Sequence, residues 1–383
     1  MVKFSELAIE FTGETHPLYA ARDRIVAEGQ TVFDLVHGNV SEHGILFPQD
    51  ILREILSECV EMTAVYRPDP LGQLAAREAI QNYYAASSFS AKNILLTPGT
   101  SISYWYCFKL LTEDGDEILG PTPSYPLLDY IARLSGVTVK SYKLDEARDW
   151  AIDFDDLVRR ITSKTRAIVL ISPHNPTGMV CSQVEITALA EIAAKYQLPI
   201  ISDEVFGEFL FGLDRLPRPA GSAAPLVFTL NGLSKSFALP GLKLGWIAVS
   251  GEESLVKRSR EVLETMSDTF LPVNELVQAS VAKIFELGEE FKRNYARTIA
   301  DLRATALAAL DGARFVVPRG GFYITLPTCD DEDEIALSLL NRHQILVHPG
   351  HFYEMEGNHI VTTFIQDYET LKTCMREIKR FLI

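Results

Sequence analysis

The 383-residue sequence has few cysteines, little positive charge and no long apolar run. Its five cysteines are scattered without CxxC spacing, which is typical of reduced thiols in a cytosolic protein and gives no sign of a zinc site. No stretch approaches the roughly 18 uninterrupted apolar residues of a membrane span, and the charged N-terminus does not resemble a signal peptide. Acidic residues outnumber basic ones by 51 to 36, which disfavours nucleic acid as a partner. We therefore expect a cytoplasmic protein without membrane or nucleic-acid partners.

Short apolar, β-rich runs recur along the chain and alternate with helical patterns. The runs are 93–97, 116–120, 165–172, 198–202, 225–230 and 245–250, and the clearest helical patterns are 103–111 and 185–196. Continuous apolar strands between helices predict an α/β fold, with a mainly parallel sheet sandwiched by helices. Long charged helical patterns begin near residue 281. We predict a large domain at 40–280 and a smaller α+β domain formed by 1–39 and 281–383.

Several chemically distinct residues follow the predicted strands, at the positions where ligands bind in open α/β sheets. After the first strand comes a turn in which Gly99 allows close backbone approach. Thr100 and Ser101 then offer amides and hydroxyls at a helix N-terminus, which suits a phosphate group. After the second strand, Tyr125 stands between prolines in PTPSYP and offers a flat aromatic surface.

The remaining strands are followed by an amide, an acid and a lysine. Asn175 lies in PHNPTG, Asp203 ends an apolar strand, and Lys235 lies in the apolar run NGLSKSFALPG. Together with Tyr125 and the phosphate-binding turn at residues 99–101, these three residues predict a pocket for pyridoxal phosphate. Lys235 would form an imine with its aldehyde, and an apolar pocket beside another cation, such as Lys243, would favour the neutral amine. Asp203 would keep the ring nitrogen protonated, Asn175 would bond the ring hydroxyl oxygen, and Tyr125 would stack on the ring.

Taken singly, each of these residues also has an ordinary structural explanation. Asp203 could cap a turn or helix, Asn175 could stabilise a tight turn, and Tyr125 could pack in the core. Thr100 and Ser101 could be plain helix caps, and Lys243 a surface lysine. Three histidines lie close together in HQILVHPGH, but their spacing is better explained by a strand and a Pro-Gly turn than by a metal site. We predict no metal.

Taken in order, the motifs resemble those of the class I and II aminotransferases, which are fold-type I pyridoxal-phosphate enzymes. SPHNPTG and SDEV match the family's Asn and Asp motifs, GLSKSFALPGLKLG matches its lysine signature, and PRGGFYITL resembles the start of its small domain. The resemblance implies a PLP-dependent aminotransferase that acts on an amino acid and a 2-oxo acid through a Lys235 aldimine. It also assigns the phosphate cation to Lys243.

The same resemblance implies a homodimer with two shared active sites. FDLVHGNV resembles the family segment in which a glycine lines the substrate pocket, and Gly38 is at the position of that glycine. VYRPDPLG resembles the tyrosine-containing segment that precedes the cofactor-binding helix, and its tyrosine is Tyr66. Tyr66 would reach the neighbouring subunit's cofactor phosphate. Thr269 or Phe270 would line the neighbouring substrate pocket.

The sequence departs from the family at three positions. Lys243 replaces an arginine that clamps the phosphate, and Phe206 replaces a tyrosine that donates to the ring oxygen. Val361 replaces the arginine that binds the substrate α-carboxylate. Arg319 is the nearest substitute cation on motif grounds; Arg67 and His348 are others. Without the usual arginine, a PLP-dependent lyase, cyclase or oxidase on the same scaffold stays an alternative.

Overall fold

The computed structural model describes residues 2–5, 7–8, 11, 15–84 and 89–382. Its strands, in chain order, are β1 (Phe33–Asp34), β2 (Ile94–Thr97), β3 (Glu117–Thr122), β4 (Thr138–Asp145), β5 (Ala151–Ile152), β6 (Thr165–Ile171), β7 (Ile200–Asp203), β8 (Leu226–Gly232), β9 (Gly245–Gly251), β10 (Tyr323–Pro327), β11 (Ile345–Leu346), β12 (His348–Pro349) and β13 (His359–Thr363).

Eight of the strands in the described ranges form the main sheet, in the spatial order β2-β9-β8-β7-β6-β3-β4-β5. The strands from β8 to β4 run parallel, whereas β2, β9 and β5 pair antiparallel with their neighbours. The predicted α/β fold with a mainly parallel sheet is confirmed, and all six predicted strands are present. The prediction missed β4, because its first half alternates between exposed and partly buried side chains and so contains no continuous apolar run.

Helices cover the sheet and form the rest of the fold. They are α1 (Pro17–Ala27), α2 (Gln49–Cys59), α3 (Leu74–Tyr84), α4 (Thr100–Leu111), α5 (Leu127–Leu134), α6 (Phe154–Arg160), α7 (Gln183–Tyr196), α8 (Leu233–Ser236), α9 (Glu253–Asp268), α10 (Glu275–Leu287), α11 (Glu289–Ala309), α12 (Glu332–His343) and α13 (Tyr368–Lys379). A capping box between Ser182 and Glu185 begins α7. None of the helices in the described residues has the length and apolarity that crossing a membrane requires.

The central strands are buried on both faces of the sheet. Successive residues of β6 alternate between two cores: Val169 packs with Phe228 on one face, and Ile168 packs with Val227 on the other. This alternation follows from the two-residue period of a strand. A sheet buried on both faces exposes its loops mainly at the strand ends, which is where a ligand can enter.

A separate core unites the two ends of the chain. It contains Leu18 and Ile25 of α1 together with residues of α11, α12 and α13. β1 pairs with β11, and β10, β13 and β12 form a small antiparallel sheet. These contacts support the predicted small domain, which stays a prediction. Residue 281 lies within α10, and α10 packs against α2 and α3, so the boundary fits better after Leu287.

Candidate active site

The predicted site residues converge on one edge of the main sheet. β6, β7 and β8 are parallel and in register, so Ile171, Asp203 and Leu230 stand side by side near their carboxyl ends. A cavity of about 210 Å³ opens at this edge. Its wall includes six residues singled out by the sequence motifs: Thr100, Ser101, Tyr125, Asn175, Asp203 and Lys235.

Lys235 lies in the short helix α8, which follows directly from β8. Its Nζ donates a 3.2 Å hydrogen bond to the carbonyl oxygen of Gly38. The same nitrogen lies 5.7 Å and 5.6 Å from the ring centres of Phe206 and Phe322. Burial in this apolar setting lowers the pKa of Lys235 to about 8. Lys243 was also expected to favour the neutral amine of Lys235, but burial is the cause of the lowered Lys235 pKa.

Asp203 is a buried carboxylate at the last position of β7. Its Oδ2 accepts a 2.8 Å hydrogen bond from the Tyr104 hydroxyl, and its Oδ1 accepts a 3.1 Å bond from the Val205 amide. Burial raises the pKa of Asp203 to about 6, although both hydrogen bonds act to lower it. A protonated ring nitrogen beside Asp203 would supply the positive charge that favours its ionised form.

Tyr125 and Asn175 face the cavity from the loops that follow β3 and β6. Burial, reinforced by the charge of Asp203, raises the pKa of the Tyr125 hydroxyl to about 12, so this side chain stays a neutral ring. Asn175 is buried, and its Oδ1 has no hydrogen-bond partner among the described residues. The Asn175 amide can therefore form hydrogen bonds with a polar ligand in this cavity.

The end of the cavity at α4 has the features of a phosphate site. Gly99 precedes the helix with a φ of +133°, a conformation that favours glycine, and no atom of the described residues lies within 4 Å of the position where its Cβ would be. Thr100 and Ser101 begin the helix, where the first N–H groups have no acceptor within the helix itself. The amides and hydroxyls of these residues can therefore bind an anion.

The chain between residues 51 and 371 matches the family model of aminotransferase class I and II. It belongs to this family. The resemblance noted in the sequence is thereby confirmed along most of the chain.

This class I and II aminotransferase resembles named relatives along nearly its whole length. Alanine aminotransferase of Mycobacterium tuberculosis H37Rv is 30% identical over 366 residues, which cover 91% of this chain and 84% of that protein. Glutamate-pyruvate aminotransferase AlaA of Escherichia coli K12 is 28% identical over 384 residues, which cover 96% and 94%.

Solved structures of aminotransferases have the same fold. An aminotransferase from Escherichia coli superposes with a TM-score of 0.87 at 27% identity, covering 99% of this chain and 98% of that one. Alanine aminotransferase from Pyrococcus furiosus superposes with a TM-score of 0.90 at 23% identity, covering 99% of both chains, and supports the fold alone. The protein is a PLP-dependent aminotransferase of fold type I.

Its cofactor, pyridoxal 5′-phosphate, fits the residues present in the cavity. The family relationship identifies the cofactor. A lysine with a lowered pKa, a buried acid and the side-chain amide of Asn175, whose Nδ2 can donate, provide groups for its aldehyde, ring nitrogen and ring oxygen. The anion-binding turn at Gly99 provides a place for its phosphate.

Lys243, the predicted phosphate cation, is exposed and does not line the cavity. It lies two residues before Gly245, which pairs with Thr97 at the end of β2. A Cβ on Gly245 would come within 3.1 Å of the Gly99 Cα, so the two backbones are in close contact. Lys243 therefore lies near the phosphate end of the site. Its contact with the phosphate stays a prediction.

The two predicted substrate residues have different surroundings in the structure. Gly38 borders the cavity: a Cβ there would lie 3.4 Å from the Tyr323 hydroxyl and 3.6 Å from Lys235 Nζ. Arg319 is exposed and is not among the cavity-lining residues; its backbone hydrogen-bonds to Gly178 and Phe211. The geometry thus supports Gly38 and gives no support to Arg319, whose role stays a prediction.

Residues predicted to act across a dimer are exposed in the single chain. Tyr66 is 69% exposed and borders a separate, smaller pocket with Leu271. Thr269 and Phe270 are also exposed. None of the three lines the cavity that contains Lys235 in the described part of the chain, and their roles across a dimer stay predictions.

The missing carboxylate-binding arginine is replaced by a buried apolar residue. Val361 lies in β13 opposite Thr325 and His348. His348 Nε2 is 2.6 Å from the Tyr19 hydroxyl, and its Nδ1 is 3.1 Å from the Tyr353 hydroxyl. Burial lowers the pKa of His348 to about 4, which favours the neutral ring, so the structure gives no support to His348 as the substitute cation. Arg67 is exposed and does not line the cavity.

His351 lies in a different group, with His16 and Asp333, whose ligand-type atoms lie within 4.8 Å of one another. The His16 Nδ1 accepts a hydrogen bond from the Leu18 amide, so the other nitrogen of the neutral ring carries its proton. That nitrogen faces Asp333 and has no free lone pair for a metal. The contacts within the group are a 3.2 Å hydrogen bond between His351 Nε2 and Asp333 and a 3.6 Å ion-pair distance between His16 Nε2 and Asp333.

Sequence reasoning missed three polar residues of the cavity wall, namely Tyr104, Ser234 and Tyr323. Tyr104 follows Thr100 by four residues and Ser101 by three, so helical spacing alone could have placed it on the same face. Ser234 directly precedes Lys235. Tyr323 lies within GGFYITL, a motif that the sequence analysis used only to locate the small domain.

Proposed function

We propose that Lys235 is the residue that links to the cofactor and moves the substrate proton in this aminotransferase. The supporting observation is its buried amine, whose pKa of about 8 leaves a useful neutral fraction at physiological pH. When bound, pyridoxal phosphate supplies an electron sink next to the reacting carbon. The neutral Lys235 amine can then accept the proton that leaves the substrate and return it at a neighbouring position.

The other residues of the cavity would hold the cofactor in place. Asp203 would pair with the ring nitrogen, Asn175 would bond the ring oxygen, and Tyr125 would cover one ring face. Gly99, Thr100 and Ser101 would bind the phosphate, with Lys243 adding positive charge from the edge of the site. Their common position on one cavity wall supports these roles.

We propose that the substrates are an amino acid and a 2-oxo acid, with glutamate, alanine and pyruvate as the first to test. The names of the relatives support this choice, since two of them are an alanine and a glutamate-pyruvate aminotransferase. Among the described residues, Lys235 is the one basic side chain that lines the cavity. The cation for the substrate carboxylate would therefore come from Arg319 after a movement, or from Arg67 of a second subunit.

The active form would be a homodimer with shared sites. Apolar side chains near Tyr66 support a covered surface, because Met62, Val65 and Phe270 are 65%, 58% and 62% exposed in the single chain. Tyr66 would then reach the phosphate bound by the other subunit. A cytoplasmic location stays a prediction from the scattered, free cysteines.

The decisive experiment mixes the purified, PLP-loaded protein with glutamate or alanine in the absence of an oxo acid. An aminotransferase should lose its yellow absorption and release the matching oxo acid in stoichiometric amount, and pyruvate should restore the colour to the glutamate-treated sample. Lys235→Ala should remove the original yellow band. Release of ammonia with return of the original spectrum would instead indicate a lyase or oxidase, for which the buried Val361 is the favouring observation.

A further inference from the structure

Phe206 leaves one side of the proposed cofactor site without a hydroxyl. It lies three residues after Asp203, lines the cavity and is buried. Its ring centre lies 5.7 Å from Lys235 Nζ, so it lies close to the reacting amine. A phenylalanine there cannot donate a hydrogen bond to a cofactor oxygen.

A tyrosine from another part of the chain reaches the same region. Tyr323 begins β10 and lines the cavity. Its ring packs edge-on against Phe206, with ring centres 6.0 Å apart and an interplanar angle of 83°. Its hydroxyl lies 3.4 Å from the position of a Cβ on Gly38, and Lys235 Nζ lies 3.6 Å from that same position. The phenolic hydroxyl and the amine therefore share one wall of the cavity.

The proposed ligand of the ring oxygen lies beside the same hydroxyl. Tyr323 and Asn175 line the same cavity, and the Asn175 side chain acts to lower the pKa of Tyr323, which burial raises. The other titratable groups near this hydroxyl include Tyr125, Asp34, Lys235 and Tyr353. Tyr323 therefore remains a neutral phenol that can donate a hydrogen bond.

We propose that Tyr323 donates a hydrogen bond to the ring oxygen of the cofactor, together with Asn175, and so replaces the hydroxyl that Phe206 lacks. This inference rests on the proposed cofactor-binding roles of Lys235 and Asn175. A donor to the ring oxygen competes with the Lys235 nitrogen for that oxygen. Removing the Tyr323 hydroxyl should therefore raise the pKa of the Lys235 nitrogen when this nitrogen is joined to the cofactor.

The test compares absorption spectra of the PLP-loaded protein across pH for the unchanged chain and for Tyr323→Phe. We expect Tyr323→Phe to shift the spectral transition to higher pH by about 1 unit, which corresponds to about 1.4 kcal/mol, because the charged ring oxygen loses a hydrogen-bond donor. Tyr353→Phe is the matched control, because it removes another tyrosine hydroxyl of the same region that does not line the cavity. A transition that does not move in Tyr323→Phe would overturn the proposal.

Two further variants keep the test decisive if Tyr323→Phe folds poorly. Phe206→Tyr in the unchanged chain should move the transition by less than about 0.5 unit, because the oxygen already has a phenolic donor. A downward shift of about 1 unit would show that it has none. Phe206→Tyr combined with Tyr323→Phe should restore the original transition. Loss of the yellow band in Lys235→Ala checks the underlying function separately.

Discussion

The Tyr104 hydroxyl donates a 2.8 Å hydrogen bond to Asp203 Oδ2, and both side chains are buried. Tyr104 belongs to α4, the helix that also begins with the phosphate-type residues Thr100 and Ser101. One helix therefore contacts both ends of the proposed cofactor site. The position of Asp203 is fixed relative to the phosphate turn through a single rigid element.

Tyr104→Phe should weaken the binding of PLP while leaving Lys235, the residue proposed to link to it, in place. The Asp203 carboxylate would lose one charge-assisted hydrogen bond, a loss of about 1.5–3 kcal/mol, so we expect PLP affinity to fall by roughly tenfold or more. Equilibrium titration of the apoenzyme with PLP measures this directly. Tyr106→Phe, a buried tyrosine of the same helix that does not line the cavity, is the control. Equal affinities in the two variants would show that the bond to Asp203 is unimportant.

Asp203→Asn should stabilise the apoenzyme at alkaline pH. The folded pKa of Asp203, about 6, lies above its ordinary 3.8, so its contribution to stability is present below about pH 4 and is lost as the pH rises through 6. At about 1.36 kcal/mol per unit, this rise corresponds to about 3 kcal/mol at pH 8. Denaturant unfolding of both apoproteins at pH 4 and pH 8 measures the effect.

The gain should be large at pH 8 and small at pH 4, and the variant should lose transaminase activity. A similar gain at both pH values would mean that the buried charge is not its cause.

Lys243→Arg should bind PLP more tightly than the unchanged chain, and Lys243→Gln less tightly. Arginine can bind phosphate through two parallel N–H groups, whereas lysine offers a point charge. Because Lys243 is exposed, we expect changes of roughly threefold to tenfold in affinity. Rates of PLP release measure them, with Lys257→Gln on α9 as a control for loss of an exposed charge. Unchanged release from Lys243→Gln would place the phosphate cation elsewhere.

Coexpression of Lys235→Ala with Tyr66→Ala should restore part of the activity that each variant lacks alone. In a dimer with shared sites, half of the randomly paired dimers are hybrids, and each hybrid contains one site with both native residues. The mixture should therefore regain roughly a quarter of the unchanged activity. Steady-state assays of the purified mixture, checked for dimers by light scattering, measure this. No recovery from a mixture that does form hybrid dimers would contradict the shared site.

The sheet and the proposed cofactor residues were predictable because they depend on local patterns. Each central strand is a mostly apolar run, and Asn175, Asp203 and Lys235 lie at the end of such a run or within a few residues after it. Parallel pairing then brings the strand ends together without further information. Gly99 was predictable for a similar reason, because its turn lies between a strand and a helix.

Tyr104 and Tyr323 could not be assigned in the same way. Tyr104 contacts Asp203 only through the packing of α4 against β7. Tyr323 reaches the cavity because the region after residue 288 folds back onto the sheet edge. The cation that would bind the substrate carboxylate could not be predicted from the sequence either. Arg319 is next to the GGFY motif in the sequence, yet it is exposed and does not line the cavity.

The hydrogen bond from Lys235 to Gly38 joins residues 197 positions apart. Gly38 follows β1, whose partner β11 lies still farther along the chain, at Ile345–Leu346. Contacts of such high sequence separation slow folding, because a long loop must be closed before they can contribute. A chain synthesised beyond Lys235 but not as far as Tyr323 would contain Lys235, Asp203 and Asn175. It would lack the part of the cavity wall that Tyr323 forms. The proposed cofactor site therefore depends on residues far apart in the sequence, and the appearance of yellow colour during refolding would report when they come together.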